Sequence, residues 1–333
     1  MRITRDLLIN LAHEQTDKLV GKDRSIQCIY LVGSLLRETP FLGGVTDIDL
    51  VCVHDRPVKA AREIVRINAD VHLDIAHISQ ETFDPPRRLR TDAWIGGSLD
   101  EGPLVLYDQF HWFDFTRASA SSQYWQIENV SSRSRSFSTR ARQTWQQLVD
   151  EAVPQGLKRT QAYLDALADS VNALAVLTGN PLSTRRFVLE LPERIANIEL
   201  PEFTGAFVSL FTNESVEPQH IENWTAQWLA AFDSLKTLKD APVQFVPSRR
   251  SYYEKAATTL APDHPAAALW ILLTTWTEIA AFLPKSESLY KEWHAFIHTL
   301  ELDSKGIHDR LGNLDSLLDM EETFIDRWQE ENA

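Results

Sequence analysis

The sequence has little cysteine and no apolar run long enough to cross a membrane. Its two cysteines, Cys28 and Cys52, lie in apolar segments typical of strands, where a free cysteine usually acts as a small buried hydrophobe. The longest apolar stretch, residues 266–283, is interrupted by three threonines and a glutamate, which predicts a buried helix. We therefore expect a soluble cytoplasmic protein without disulfides or a membrane segment.

Positive charge is also scarce. The chain has 33 Lys and Arg against 47 Asp and Glu, a net charge of −14. Nucleic-acid binding depends on neutralising phosphates with cations, so DNA or RNA is an unlikely partner and a cationic one is favoured. The exception is a basic cluster in residues 131–135 with Arg140 and Arg142. It indicates a solvated linker and helix start, or else a surface that faces a triphosphate or a tRNA-like acceptor.

Several common catalytic motifs are missing. The chain has no phosphate-binding Gly-x-x-x-x-Gly-Lys loop, no Gly-x-Ser-x-Gly elbow and no dinucleotide fingerprint. His54, His77 and His111 show no metal-ligand spacing with the cysteines, so zinc is not expected. These absences exclude the best-known nucleotide-binding loops and serine hydrolases.

Three aspartates are the most informative residues present. Asp47 and Asp49 flank Ile48 in a strand-like segment, and Asp74 stands within a later one, Val-His-Leu-Asp-Ile. Because strand side chains alternate, Asp47 and Asp49 point to the same face. Carboxylates are the ligands that Mg²⁺ prefers, and Asp is uncommon inside strands unless it is paired or binds a metal. The pattern predicts a site that can hold Mg²⁺ and a nucleoside triphosphate.

A Gly-Ser pair precedes the aspartates. The apolar run of residues 28–32 ends at Gly33, where the chain can turn sharply into a short helix beginning at Ser34. Glycine lets the backbone approach a ligand, and free N–H groups at a helix start attract anions. Gly33 and Ser34 are therefore predicted to bind phosphate, with Arg37 neutralising it.

These features together resemble the nucleotidyltransferase superfamily related to DNA polymerase β. The shared pattern is an apolar residue, Gly-Ser, a spacer and then Asp-x-Asp, with a third aspartate on a later strand. Two departures are Glu38, where small members often carry glycine, and a spacer of twelve residues (35–46), near the upper limit. Neither removes a catalytic group.

The resemblance implies a reaction. Asp47, Asp49 and Asp74 would hold two Mg²⁺ ions, Asp74 would act as general base, and Gly33, Ser34 and Arg37 would bind the triphosphate. The expected activity is transfer of a nucleoside monophosphate, most simply AMP from ATP, to an acceptor hydroxyl with release of pyrophosphate.

Two domains are expected. Residues 1–117 would form an α/β (α+β) domain with a small mixed sheet, a helix over residues 3–20, a helical connection over 57–67 and a closing strand over 103–108. Residues 118–333 would form an all-α helical bundle, because apolar residues recur there at three- and four-residue intervals and no convincing strand is found. Tryptophans at this spacing are expected in its core.

The two-domain architecture resembles the aminoglycoside-modifying members of the superfamily, which implies that the helical domain binds the acceptor, and the acidic balance of the chain favours a small cationic molecule as that acceptor. One alternative is a catalytically silent, antitoxin-like protein that binds a nucleotide or a partner. Another is a transferase acting on a protein or on tRNA. The acceptor, the preferred triphosphate and the oligomeric state stay open.

Overall fold

The chain forms a mixed five-stranded sheet in its N-terminal part and is mostly helical after it. The computed structural model describes residues 3–68, 71–213, 216–238 and 241–333. Contacts divide the chain into two compact units, Met1–Gln126 with Pro242–Lys255, and Ile127–Ala241 with Ala256–Ala333. A mixed sheet followed by helices is what the sequence predicted.

The strands are β1 (Ile26–Val32), β2 (Ile48–His54), β3 (Arg62–Arg66), β4 (His72–Ser79) and β5 (Leu104–Asp108). They lie in the order β3-β4-β2-β1-β5, with β2 and β4 parallel and every other pair antiparallel. The predicted closing strand is thus the edge strand β5, beside β1.

The helices of the first unit are α1 (Arg5–Lys22), α2 (Ile95–Asp100) and α3 (Trp112–Ser121). The second unit contains α4 (Ile127–Val149), α5 (Leu157–Ala175), α6 (Phe187–Ala196), α7 (Glu202–Ser209), α8 (Pro218–Ser234), α10 (Pro265–Ala280), α11 (Ser288–Thr299) and α12 (Ser304–Asn332). Helix α9 (Arg250–Leu260) spans the boundary at Lys255.

The first unit extends further than the sequence indicated. The predicted boundary lay after residue 117, whereas the first unit continues through Gln126 and also includes Pro242–Lys255. The extension follows from packing, because Phe113 and Ala120 of α3 are buried in the same apolar cluster as Tyr30 and Val53 of the sheet. A helix that completes the core of the sheet belongs to its unit, whatever its own periodicity suggests.

The helical connection predicted over residues 57–67 is wrong. Residues 62–66 form β3, antiparallel to β4, with Ile64 opposite Asp74. The β-branched pair Ile64 and Val65 favours a strand, and pairing with β4 satisfies the backbone groups that a helix would have bonded internally. This correction matters for the site because β3 carries Arg62.

The two faces of the sheet have separate apolar cores. On one face Leu8 and Ala12 of α1 pack with Leu31, Leu50 and Ile75. The other face buries residues of β1 and β2 beneath α3 and two short turns: Cys28, Tyr30, Val51, Val53, Phe83, Leu89, Leu99, Phe113 and Ala120. Both cysteines are free and buried, as predicted.

The second unit has an aromatic core. Helices α4, α5 and α12 pack against one another, and α10 contacts α5, α6, α8 and α11. Trp228, Trp270, Trp276 and Trp293 are each exposed by 2% or less, which confirms the prediction that the tryptophans at helical spacing lie in the core. No helix in the described parts of the chain is long and apolar enough to cross a membrane.

The basic cluster of residues 131–142 is not a linker. It lies within α4, where Arg142 pairs with Asp315, Asp319 and Glu322 of α12, and Arg140 pairs with Asp169 of α5. The excess of acidic residues in this unit is therefore partly used to join its own helices.

Candidate metal and nucleotide site

Strand register brings the three predicted carboxylates together. Asp47 immediately precedes β2, and Asp49 is its second residue, so the two side chains share a face. The parallel pairing of β2 with β4 then places Asp74 directly opposite Asp49. Each of the three offers a carboxylate oxygen, and these oxygens all lie within 4.8 Å of one another. The cluster therefore has the donor type and the spacing that a hard divalent cation requires.

Burial makes it costly in free energy to keep the three carboxylates of the cluster ionised. Asp47 and Asp74 are exposed by only 1% and 5%, and Asp49 is partly buried. Desolvation, followed by repulsion from the carboxylates of Asp47 and Asp74, raises the pKa of Asp49 to about 7. Like charges held this close favour either proton uptake or a bound cation.

A buried arginine lies against two of the three carboxylates. Arg249 is exposed by 3% and ends a single helical turn, Pro247–Arg249, just before α9. Its Nη2 donates to Oδ2 of Asp47, and its Nη1 donates to Oδ2 of Asp74 over 2.9 Å. The guanidinium also lies over the ring of Tyr252, 4.7 Å from the centroid, a distance typical of a cation–π contact.

A second arginine pairs with Asp74 alone. Arg62 donates from both Nε and Nη2 to the two oxygens of Asp74, and the Nε bond measures 2.6 Å. This is the bidentate geometry for which arginine is suited. The guanidinium groups of Arg62 and Arg249 thus both contact Asp74, and that of Arg249 also contacts Asp47.

The predicted phosphate turn lies beside the cluster. Gly33 has φ 81° and ψ −161°, a conformation that favours glycine, and a Cβ placed there would overlap Oδ2 of Asp49. Ser34 begins a single helical turn, and its hydroxyl is 2.7 Å from the hydroxyl of Thr46, the residue before Asp47. The turn at Gly33 and Ser34 is therefore in direct contact with the segment that carries Asp47 and Asp49.

Arg37 has a less direct place. It caps the turn that begins at Ser34 and lines, with Gly33 and Leu36, a cavity of about 190 Å³ that Ser98 and Glu101 also line. The structure thus brings all six predicted residues into one region, with Gly33 and Ser34 nearest the carboxylates.

Gly33→Ala is expected to damage the site more than its effect on stability would suggest. The added methyl group meets the Asp49 carboxylate and should shift it, so the affinity of the cluster for a divalent cation such as Mg²⁺ should fall at least about tenfold, since the loss of groups outside the coordination shell alone often reaches that size. Gly44→Ala is the matched control, because Gly44 also has positive φ (74°) but has nothing within 4 Å of the added Cβ. Melting temperature and Mg²⁺ titration of both variants separate backbone strain from the contact; equal Mg²⁺ affinities would contradict the expectation.

Sequence reasoning missed Arg62, Thr46 and Arg249. A strand over residues 62–66 puts Arg62 opposite Ala76 of β4, two residues from Asp74 and on the same face, whereas the sequence predicted a helix there. Arg249 carries no local signal, since it reaches the site across 175 positions from Asp74.

The chain was compared with known families and proteins. No family model matches it, and no curated protein is detectably similar to it.

Proposed function

We propose that this chain is a nucleotidyltransferase of the superfamily that its motif resembles. It would transfer a nucleoside monophosphate, most simply AMP from ATP, to an acceptor hydroxyl. The observation that carries the proposal is the convergence of Asp47, Asp49 and Asp74 next to the Gly33–Ser34 turn. Carboxylates beside a tight glycine turn that a ligand can approach closely suit a metal-bound triphosphate.

The donor set fits Mg²⁺. All three ligands are carboxylates, and the pKa of Asp49 is raised by burial and by its acidic neighbours. When bound, Mg²⁺ would neutralise phosphate charge and help to align the reacting oxygens. Asp47, Asp49 and Asp74 are the residues that would hold it.

The remaining residues have distinct roles in this proposal. The backbone after Gly33 and the Ser34 hydroxyl would bind phosphate oxygens, and Arg37 would neutralise charge at the cavity that it lines. Asp74 would accept the proton of the acceptor hydroxyl as the acceptor oxygen attacks the α-phosphorus and the bond to the pyrophosphate oxygen breaks.

Besides a cation, Asp74 has two arginine partners, Arg249 and Arg62. Arg249 holds Asp47 and Asp74 together, and its guanidinium must move from at least one of them when those oxygens bind a cation. Arg62 can keep its bidentate contact with one edge of Asp74 and so fix the orientation of that carboxylate.

A catalytically silent protein is the second candidate. The observation in its favour is the same pair of arginines, because buried guanidinium groups can neutralise carboxylates permanently where a metal is no longer used. In that case Arg249 would be a structural residue, and Mg²⁺ would not compete with it.

The activity can be tested without knowing the acceptor. The protein is incubated with Mg²⁺, a cell extract and each nucleoside triphosphate labelled at either the α- or the γ-phosphate, and the small-molecule, protein and RNA fractions are separated. Nucleotidyl transfer leaves α-label on the acceptor and γ-label in pyrophosphate. α-Label in a new small molecule that is separable from the triphosphate would support a small cationic acceptor, and α-label in protein or RNA would support the other acceptors. Transfer of γ-label alone, or no transfer from any triphosphate, would contradict the proposal.

A further inference from the structure

A second polar site lies at the opposite end of β2 from the acidic cluster. It is an open pocket of about 530 Å³ whose polar lining residues are Asp23, Ser25, His54, Arg56, Lys59 and His77. Asp49 and His54 stand five positions apart on one strand, so their side chains point to opposite faces and their Cα atoms are separated by roughly 17 Å. The pocket is therefore independent of the site described above.

Two imidazoles face each other in this pocket. The parallel register of β2 and β4 pairs Cys52 with His77, which puts His54 and His77 on the same face of the sheet. Nε2 of His54 is 2.9 Å from Nδ1 of His77. At this distance the two nitrogens share one proton, with one ring donating to the other.

Neighbouring side chains fix which nitrogen of His54 carries its proton. The Ser25 hydroxyl donates its single hydrogen to Oδ1 of Asp23 over 2.7 Å, and Oγ of Ser25 is 2.9 Å from Nδ1 of His54. Ser25 must therefore accept from His54 Nδ1–H, which leaves a lone pair on Nε2 directed at His77.

The far nitrogen of His77 also faces a carboxylate. Nε2 of His77 is 3.7 Å from Oε2 of Glu63. If the proton of His77 moves from Nδ1 to Nε2, it points toward Glu63, and Nδ1 then presents a second lone pair to the space between the rings. Metal-binding histidines commonly have this arrangement, in which the outer nitrogen donates to a carboxylate, a hydroxyl or water.

We propose that His54 and His77 form a binding site for a transition-metal dication of the zinc type. The cation takes the position of the proton shared by Nε2 of His54 and Nδ1 of His77. No proton need leave the protein, because the shared one transfers to Nε2 of His77, beside Glu63. Imidazole suits Zn²⁺, Cu²⁺ and Ni²⁺ and is a poor ligand for Mg²⁺, so the two sites differ in metal preference.

The rings must move to accept the cation. Two nitrogen ligands of tetrahedral zinc lie about 3.4 Å apart, so the nitrogens must separate by about half an ångström from their present 2.9 Å, and the rings must turn so that both lone pairs point at the ion. The open pocket admits water for the other coordination positions. Asp23 and Glu63 offset the charge of the cation, against the opposing charge of Arg56, which is paired with Asp23 over 3.0 Å.

The test uses the full chain with Zn²⁺ as the probe. Titration calorimetry in excess Mg²⁺ should show one Zn²⁺ bound per chain. His77→Ala is expected to lower the Zn²⁺ affinity at least about a hundredfold, and Glu63→Gln about tenfold, as the loss of an outer-sphere carboxylate does. Asp49→Asn, which alters only the acidic cluster, should bind Zn²⁺ as the wild type does. Equal Zn²⁺ binding by wild type and His77→Ala, or loss of binding in Asp49→Asn alone, would overturn the proposal.

A measurement on the wild type avoids dependence on variants that fail to fold. X-ray absorption at the zinc edge of the zinc-loaded protein should report two imidazole ligands with Zn–N distances of about 2.0 Å. A spectrum with only oxygen ligands, or the absence of a stoichiometric zinc complex, would show that His54 and His77 do not bind the metal.

Discussion

Asp49→Asn is expected to lower nucleotidyl transfer at least about a hundredfold, because it removes a charged ligand from the middle of the carboxylate cluster while keeping the shape of the side chain. Asp49 is adjacent to Gly33 and opposite Asp74, so its loss affects both the phosphate turn and the metal ligands. The measurement is label transferred from the α-phosphate per folded molecule. Mg²⁺ affinity, measured in parallel, should fall with it.

Asp55→Asn is the matched control, since Asp55 is an exposed aspartate just after the same strand and should be neutral in both assays. A variant at position 49 with wild-type transfer would show that the cluster is not the metal site of a transferase.

Asp49→Asn is also expected to increase the stability of the folded protein in the absence of divalent cations. Folding raises the pKa of Asp49 from the ordinary 3.8 to about 7 through burial and neighbouring carboxylates, so the folded state holds a proton that the unfolded state has lost. Wild-type stability therefore falls as the pH rises through this interval, and asparagine removes that dependence. In a chelator, the melting temperature of Asp49→Asn should exceed that of the wild type by more at about pH 8 than at about pH 4. A variant that gains stability while it loses activity is common where the native functional group is charged in a buried site.

Arg249→Ala is expected to have the largest effect on stability. It leaves the buried carboxylates of Asp47 and Asp74 without the guanidinium that joins them, and breaking a buried pair in this way typically costs about 3 to 5 kcal/mol of unfolding free energy. If the cluster is a metal site, saturating Mg²⁺ should restore much of this loss, because the cation replaces the missing positive charge. The Mg²⁺ affinity of the variant should also exceed that of the wild type, since the ion no longer competes with the arginine.

Denaturant unfolding with and without Mg²⁺ measures both effects. Arg250→Ala is the control, because the neighbouring arginine forms an ion pair with Glu254 one turn along α9. Destabilisation of Arg249→Ala that Mg²⁺ does not reverse would favour the catalytically silent alternative, in which the arginine is a permanent counter-ion.

Asp49→Asn and Arg249→Ala together distinguish a transferase from a catalytically silent protein, since both proposals concern the same carboxylate cluster. A transferase loses activity in Asp49→Asn and gains Mg²⁺ affinity in Arg249→Ala. In a silent protein, Mg²⁺ affects neither variant, and both report only the electrostatics of a buried group. The zinc site of His54 and His77 is independent of this outcome.

Local sequence was sufficient for the elements that carry the aspartates. Asp47 and Asp49 share a face because strand side chains alternate, and Gly33 ends an apolar run where a turn is expected. These predictions depend on neighbouring residues alone, and the structure has the strands and the turn where they were expected. The segment of residues 57–67 was misjudged because its preference is weak, and pairing with β4 decides it.

What the sequence determined by itself is therefore the chemical content of this protein: three aspartates, a Gly-Ser turn before them, and a mixed sheet followed by buried amphipathic helices. Tertiary structure alone decided which charged groups meet. Parallel pairing of β2 with β4 set Asp74 opposite Asp49 and brought His54 to His77, and packing of residues 242–255 in the first unit delivered Arg249 to the carboxylates. Contacts between residues far apart in the chain depend on strand register and on which segments share a core, and no local periodicity encodes either.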